Sequence, residues 1–476
     1  MYPADLPPYA RLYCHLLQPV FERLRGKITP RVEKTISRTQ WLGPEALQDM
    51  QWRELAVLLA WAVDRVDFYR QWFADNRLTV EQVVAQRDLS LLPLVDKQTI
   101  TAQPSRFLAD PLPAGSYPKT TGGTLGQPLS FMLNPESDHW RQAVSRRGYA
   151  WAGVAPGRRQ LHVWSSDLIP LPRAAQFKRA VHRMLLRQHY VSYYRMLSPQ
   201  DTDRALRRID RLRPDNLVIY PSAAEVLCTR ARQTGWRPRR PLVSVLTGAE
   251  TLFDHQREMI QEVFGCPVFE TYGSREFMLM AAECPAHQGM HVSAENLMME
   301  ILADGRPAEP GELGEVVVTD LHNFAQPFIR YRVGDTSAWL DQGPCACGRS
   351  LPRITKVEGK VVDMIVTPDG RRLTGHFFPH LLKDFPAVER YQIEQDREDH
   401  IIIRLKLRHD LADEDSRLIL DKFRQTLPGV EPEIEVVDEV KIAPTGKVRI
   451  TIGLDNQHGM TGPDIAGPGD AGQGEA

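Results

Sequence analysis

Three hydroxyls and three glycines crowd into Thr120-Thr121-Gly122-Gly123-Thr124-Leu125-Gly126-Gln127-Pro128, the segment of this 476-residue chain best suited to holding an anion. Glycine reaches positive φ and lets backbone N–H groups close on a phosphate, and threonine hydroxyls add further donors. No Gly-Lys-Ser/Thr follows, so this is not a Walker A loop, and by itself a tight turn between two strands explains it equally well. Thr247-Gly248-Ala249-Glu250 follows an apolar run and is expected at the carboxyl end of a strand, where open α/β sheets bind ligands. Tyr272-Gly273-Ser274-Arg275-Glu276 also follows an apolar run, and puts an aromatic plane, a pliant backbone and a carboxylate within five residues. Phe328-Ile329-Arg330-Tyr331-Arg332-Val333-Gly334-Asp335 presents an aspartate after a glycine turn. Pro444-Thr445-Gly446-Lys447 sets one of only 12 lysines, against 47 arginines, on a loop. Taken singly, Tyr272 reads as core, Asp335 as a turn former and Lys447 as a solvated cation.

The order of the five segments resembles the adenylate-forming (ANL) superfamily, and within it the phenylacetate-CoA ligase and capsule-biosynthesis CapK-like branch. The resemblance runs from Leu92-Pro93-Leu94-Val95-Asp96-Lys97, which looks like that branch's helix-entry segment, to Lys447. It implies AMP-forming activation of a small carboxylic acid by Mg²⁺·ATP, followed by transfer to the thiol of coenzyme A. The fold it implies is α/β: a large multi-layer N-terminal adenylate-forming domain and a small mobile α+β C-terminal domain. By the same resemblance Thr120, Thr121, Gly122, Gly123, Thr124 and Gly126 would embrace the ATP phosphates. Tyr272 would stack on adenine beside Gly248, Ala249 and Glu250, with Gly273, Ser274 and Arg275 completing the nucleotide contacts. Glu276 would hold Mg²⁺, Asp335 would accept from the ribose hydroxyls, Lys360 would contribute from the hinge, and Lys447 would bridge the attacking carboxylate and the α-phosphate.

These residue types suit the chemistry. An anion must attack a polyanion, so cations and donor-rich loops carry the stabilisation of the transition state. The chain departs from the family pattern at three places. Leu129 rather than lysine follows Pro128, Arg275 replaces the usual threonine before the Mg²⁺ glutamate, and the hinge reads Gly359-Lys360-Val361-Val362-Asp363, with Val362 where an aspartate usually stands. The altered hinge leaves acceptors other than coenzyme A open, as well as a catalytically inactive nucleotide-binding relative; retention of Glu276, Asp335 and Lys447 argues against the latter.

A second cluster offers soft ligands. Cys284-Pro285-Ala286-His287-Gln288-Gly289-Met290-His291 is followed by Cys345-Ala346-Cys347-Gly348. Cys284, His291, Cys345 and Cys347 can form a closed Cys₃His zinc site of the structural kind, with His287 as the substitute histidine; the other reading is two reduced cysteine-bearing turns. Cys14, Cys228 and Cys266 read as small buried residues.

The scaffold that must position these groups is legible in outline. Apolar runs at Leu161-His162-Val163-Trp164, Leu217-Val218-Ile219-Tyr220, Leu242-Val243-Ser244-Val245-Leu246 and Pro267-Val268-Phe269-Glu270-Thr271-Tyr272 alternate with helix-length stretches, as buried strands of an α/β domain do. Residues 1–95 form a helical lead-in packed on the main α/β domain of 96–358. A small unit of 359–455 follows, with strand 400–407, a helix from Asp413 to Leu427 and strand 433–437; residues 456–476 are expected to be disordered. Trp164, Tyr220 and Ser222 follow two of the strands and are candidates for an aryl pocket. With 42% hydrophobic and 25% charged residues the composition is ordinary. A net charge of −1 gives no bulk attraction to nucleic acid or an anionic membrane, so such partners would need a local basic patch. Two Arg-rich runs, Phe177 to Val191 and Arg204 to Arg213, read as solvated helix faces. With no signal h-region and no membrane-spanning run, the expected location is the cytoplasm.

Overall fold

Strands buried on both faces carry near-continuous Val, Leu and Ile, and the apolar runs occupy such positions in the computed structural model of the chain. It describes residues 2–3, 5–120, 129–164, 173–192, 199–340, 343–357, 365–368, 372–373, 378–382, 385, 387–427, 429–440 and 451–454. The chain divides into two compact units, one of Met1–Glu358 with Pro444–Gly446 and the other of Gly359–Ala443 with Lys447–Ala476.

In the first unit a hairpin of β1 (Tyr117–Thr120) and β2 (Ser130–Leu133) precedes the main sheet. That sheet comprises β3 (Gln160–Trp164), β4 (Gln188–Ser192), β5 (Asn216–Ile219), β6 (Ser244–Gly248), β7 (Val268–Ser274), β8 (Met278–Glu283), β9 (Met290–Val292) and, after a smaller sheet, β14 (Arg353–Ile354). Its order is β14-β9-β8-β7-β6-β5-β3-β4. The five strands β4, β3, β5, β6 and β7 are parallel, while β8, β9 and β14 continue antiparallel. Helices Pro199–Leu212, Pro221–Thr234 and Asp254–Phe264 make the crossovers, together with Arg173–Leu186 between β3 and β4. The first two open on proline, whose missing N–H costs nothing at a helix start. Ligand chemistry is therefore directed to the carboxyl edge of β6 and β7.

The smaller sheet contains β10 (Leu297–Ala303), β11 (Arg306–Pro307), β12 (Gly314–Asp320) and β13 (Tyr331–Ser337), all antiparallel in the order β11-β10-β12-β13. Asp335 lies inside β13, which corrects the expectation of an aspartate beyond a glycine turn. Gly334 takes φ +79° without ending the strand, because it lies in a bulge of β13: Glu315 faces Thr336 and Val317 faces Arg332, so Val333, Gly334 and Asp335 stand opposite Val316 alone. Phe131, Tyr272, Phe277, Phe328 and Tyr331 share one buried cluster.

Helix Pro44–Arg65 buries Leu55, Leu58, Leu59 and Ala62 against Leu321 and Ile329, so the N-terminal helices share a core with the small sheet. Charged clamps reinforce them. Arg147, in helix Pro135–Trp151, is buried and grips Glu295 through two bonds of 2.5 and 2.8 Å, and Thr39 donates to the same carboxylate at 2.9 Å. Arg141 pairs with buried Asp320, and Arg330 holds Glu300 through two 3.0 Å bonds while donating to the Leu92 carbonyl. The planar fork of arginine fits such two-point pairing where lysine does not, which gives the arginine bias a structural use.

In the second unit β15 (Ile365–Val366) and β16 (Arg372–Leu373) pair beside a sheet of β17 (Val388–Arg397), β18 (His400–Leu407), β19 (Glu431–Val436) and β20 (Thr451–Ile452), ordered β19-β18-β17-β20. Helix Asp413–Thr426 packs Ile419 and Phe423 onto Ile393, Ile401, Ile403 and Leu405. Strand β17 escapes the sequence pattern because Gln392 and Gln395 occupy buried positions within it. The tail 456–476 lies outside the described residues.

Breaking a buried ion pair strands its partner, so Glu295→Gln should cost about 3–5 kcal/mol of stability. Urea unfolding would show a lower midpoint with an unchanged slope, and a Glu295→Leu, Arg147→Met double change should recover much of the loss.

Candidate active site and cysteine cluster

Strand β7 turns into β8 through Arg275, Glu276 and Phe277, with Ser274 opposite Met278. Close approach dictates Gly273: a Cβ there would meet the Met278 carbonyl oxygen at 2.0 Å. Met278 accepts φ +59° to close the turn, and the Phe277 N–H donates to the Ser274 hydroxyl at 3.3 Å. Glu276 is thereby held at the carboxyl edge of the sheet, partly exposed.

The Tyr272 hydroxyl donates to Asp335 Oδ2 at 2.8 Å, joining the main sheet to the small one. Burial, then the Asp335 carboxylate, pushes the Tyr272 phenol well above its usual pKa, so it stays protonated and remains a donor. Arg275 donates through Nε and Nη2 to the Thr120 carbonyl at 3.2 and 3.0 Å, fixing one end of the Thr/Gly loop, and Thr120 pairs with Ser130 across the hairpin. The residue in the threonine position thus bonds the chain itself. Lys119, one step before the threonine pair, was not singled out from sequence. Burial, then Arg141, draws its ammonium below the usual lysine range, and Arg275 and Glu276 are among the charges acting on it. A scarce lysine next to the glycine loop was the available signal.

Beside β7, strand β6 ends on Thr247 and Gly248. A Cβ on Gly248 would lie 2.5 Å from Thr271 Oγ1, and Ala249 takes φ +65°, a strained conformation for a non-glycine residue. Glu250 accepts from the Ser222 N–H and hydroxyl, both at 3.0 Å, so Ser222 fixes this wall instead of standing free to meet an acid. Trp164 and Tyr220 stack on each other with centroids 4.1 Å apart. Glu270, absent from the sequence reading, is buried within β7 and accepts from the Leu252 N–H at 3.2 Å, just beyond the Gly248–Glu250 turn. Desolvation, then the neighbouring Glu283, raises its pKa to about 7. The structure thus brings Thr120, Gly248, Ala249, Glu250, Tyr272, Gly273, Ser274, Arg275, Glu276 and Asp335 into the first unit. Thr121, Gly122, Gly123, Thr124, Gly126, Lys360, Val362 and Lys447 lie outside the described residues.

At the other end of β8 the four soft ligands converge. The donor atoms of Cys284, His291, Cys345 and Cys347 all lie within 4.8 Å of one another. Cys284 Sγ and Cys345 Sγ are 3.7 Å apart, close to the edge of about 3.8 Å for a tetrahedron with 2.3 Å metal–sulfur bonds. His291 Nδ1 faces the Leu351 carbonyl at 3.1 Å, which turns Nε2 toward Cys347 Sγ at 3.3 Å. Tight turns present the thiols: the His287 N–H reaches the Cys284 carbonyl at 3.0 Å and the Gly348 N–H the Cys345 carbonyl at 2.8 Å. His287 stands apart, 3.5 Å from the Glu283 carboxylate. Cys14, Cys228 and Cys266 are buried, and burial raises each thiol to about 12.

The parallel sheet, its antiparallel extension and the small α+β unit recur in solved structures of other proteins. The structure of 2-hydroxyisobutyryl-CoA ligase in its postadenylation state matches with a TM-score of 0.67 at 20% identity, covering 88% of this chain and 91% of that one. The family described as the CapK C-terminal domain matches residues 365–453. A phenylacetate-coenzyme A ligase of Thermus thermophilus is 25% identical over 329 residues, 68% of this chain and 72% of the relative. Protein CapK of Staphylococcus aureus is 21% identical over 394 residues, covering 81% and 84%. The chain is thus similar, over most of its length, to phenylacetate-coenzyme A ligases and to CapK, and its last described strands and helix match the CapK C-terminal domain.

Glu270 carries a raised pKa in the folded protein, so the stability it permits is complete below the unfolded value of about 4.3 and declines as pH rises toward about 7. Glu270→Gln removes that decline. Relative to the parent, the variant should gain about 2 kcal/mol between about pH 5 and about pH 8 in denaturant titrations, and equal pH slopes would show that Glu270 ionises normally.

Proposed function

We propose that this chain activates a carboxylic acid with ATP to give an acyl or aryl adenylate and pyrophosphate, and then passes the acyl group to the thiol of coenzyme A. The observation that carries the reading is the Tyr272–Asp335 bond at the carboxyl edge of the sheet, with Gly248–Glu250 beside it and Glu276 at the adjoining turn. Tyr272 offers an aromatic plane for adenine, held by its own hydroxyl bond, and Asp335 offers a carboxylate suited to ribose hydroxyls. Glu276 would hold Mg²⁺, which neutralises phosphate charge when bound, and the loop from Thr120 to Gly126 would receive the phosphates with Lys119 at its base. Lys447, from the second unit, is assigned to the carboxylate and the α-phosphate, with Lys360 at the hinge. Adenylation forms the bond from a carboxylate oxygen to the α-phosphorus and breaks the bond to pyrophosphate. In the second step the thiolate sulfur bonds to the acyl carbon and AMP departs. Similarity to phenylacetate-coenzyme A ligases supports an aryl or small organic acid as substrate.

Pyrophosphate exchange into ATP, run over a panel of aryl and small aliphatic acids, tests the first step. Exchange should require the acid and fall about 10²–10³-fold in Lys447→Ala, with ATP affinity nearly unchanged. Exchange without a thioester on adding coenzyme A would move the acceptor to an amine, a sugar or a cofactor hydroxyl, the reading the Val362 hinge leaves open. No exchange with any acid would leave a nucleotide-binding relative.

We also assign a structural Zn²⁺ to Cys284, His291, Cys345 and Cys347, since the thiol spacing and the imidazole orientation fit tetrahedral ligation and the cluster lies at the end of β8 away from Glu276. Protein prepared without chelator should contain about one zinc per chain, and Cys345→Ser should lower both metal content and melting temperature. Metal well below one per chain would remove the assignment.

A further inference from the structure

The first helices of the chain are amphipathic in the reverse sense. From Pro8 to Leu24 a short helix, a π-helical turn at Tyr13–Leu17 and a second helix follow without interruption. Ala10, Cys14, Gln18 and Glu22 recur every four residues and are buried. Leu12, Leu16, Val20 and Leu24 recur at the same interval two positions later and are exposed, Leu24 to 83%. Two positions correspond to about 200° around a helix, so a glutamine and a glutamate face the protein while an aliphatic row faces outward. Glu22 is satisfied there by Arg146. Exposed Leu17 and Phe21 widen the outer row.

A second helix extends this face. Arg173–Leu186 exposes Phe177 to 73% and Met184 to 69%, so the Arg-rich run is not the purely solvated face expected of it. The two segments adjoin: the Tyr9 hydroxyl donates to the Leu185 carbonyl at 2.8 Å, and the Arg187 guanidinium lies 5.2 Å from the Tyr9 ring centre. Charge on this face is one-sided. Residues 8–27 and 173–187 together carry nine Lys or Arg and a single acid, the buried Glu22, in a chain whose net charge is −1.

Apolar side chains fringed by cations fit one kind of partner best. We infer that this face rests on an anionic bilayer surface, its aliphatic row entering the acyl boundary and its arginines and lysines meeting lipid phosphates. A second copy of the chain would bring like charges together without acids to answer them. Among the described residues no helix is long and apolar enough to cross a membrane, so the contact is peripheral.

Co-sedimentation of the full chain with phosphatidylcholine vesicles, with and without about 30 mol% phosphatidylglycerol, tests the assignment. Binding to the anionic vesicles should exceed binding to the neutral ones about tenfold or more and weaken at high salt. The Leu16→Asp, Leu24→Asp double variant should lose it while keeping its melting temperature and nucleotide affinity. Arg23→Glu, Arg25→Glu, which alters only exposed side chains, should lose the preference for anionic lipid. Equal sedimentation with both vesicle types would overturn the inference. So would a dimer in sedimentation velocity that Leu16→Asp, Leu24→Asp converts to monomer, which would identify the occupant as a second copy.

Discussion

The contact between Gly273 and the Met278 carbonyl is the constraint on which the candidate site depends. A side chain at 273 has nowhere to go, so the backbone of β7 can turn directly into β8. That turn places Tyr272 on one side of the bend and Glu276 on the other, at the edge where parallel strands direct ligand chemistry. Arg275 and Asp335 act from opposite directions, one tying the turn to Thr120 and the other bonding the Tyr272 hydroxyl. The site is therefore assembled from three layers, with the small sheet joined to the main sheet through Tyr272–Asp335 and the β1–β2 hairpin joined to it through Arg275–Thr120.

Much of the scaffold could be read from sequence because its strands are buried on both faces. Leu161–Trp164, Leu217–Ile219, Val245–Leu246 and Val268–Tyr272 are predominantly apolar without regular alternation, interrupted only by His162, Glu270 and Thr271. Legibility ended where tertiary context reversed a local signal. Gly334 marks a bulge in a continuing strand and not a turn, and Gln392 and Gln395 sit inside a strand that alternation would exclude. At the site, motif order marked Tyr272, Glu276 and Asp335 but neither Glu270 nor Lys119, whose one local signal was its place beside the glycine loop; the environments of both come from burial and then from Glu283 and Arg141, which only the fold brings near. Spacing favoured His291 but left His287 as a substitute. The Leu351 carbonyl distinguishes them, by turning His291 toward the thiols.

Arginine use shows the same division between composition and context. The excess over lysine is plain in the sequence, yet its meaning appears only in Arg147–Glu295 and Arg330–Glu300, each held at two points, and in Arg141–Asp320, which ties a helix to β12. Such pairs add little net stability over apolar replacements, but they are intolerant of losing one member. The cysteine cluster brings β9 and the Cys345–Gly348 turn together at the far end of β8. Differential stabilisation of a charged transition state requires polar groups fixed in place, and the packed strands on either side of the carboxyl edge hold such groups.

The central claim is that a nucleotide sits at this edge. Diffraction from crystals of the whole chain grown with ATP and Mg²⁺ tests it most directly. The account predicts adenine against Tyr272 and Gly248–Glu250, ribose hydroxyls at Asp335 and the metal at Glu276. Nucleotide bound elsewhere, with Tyr272 and Asp335 touching only each other, would contradict it.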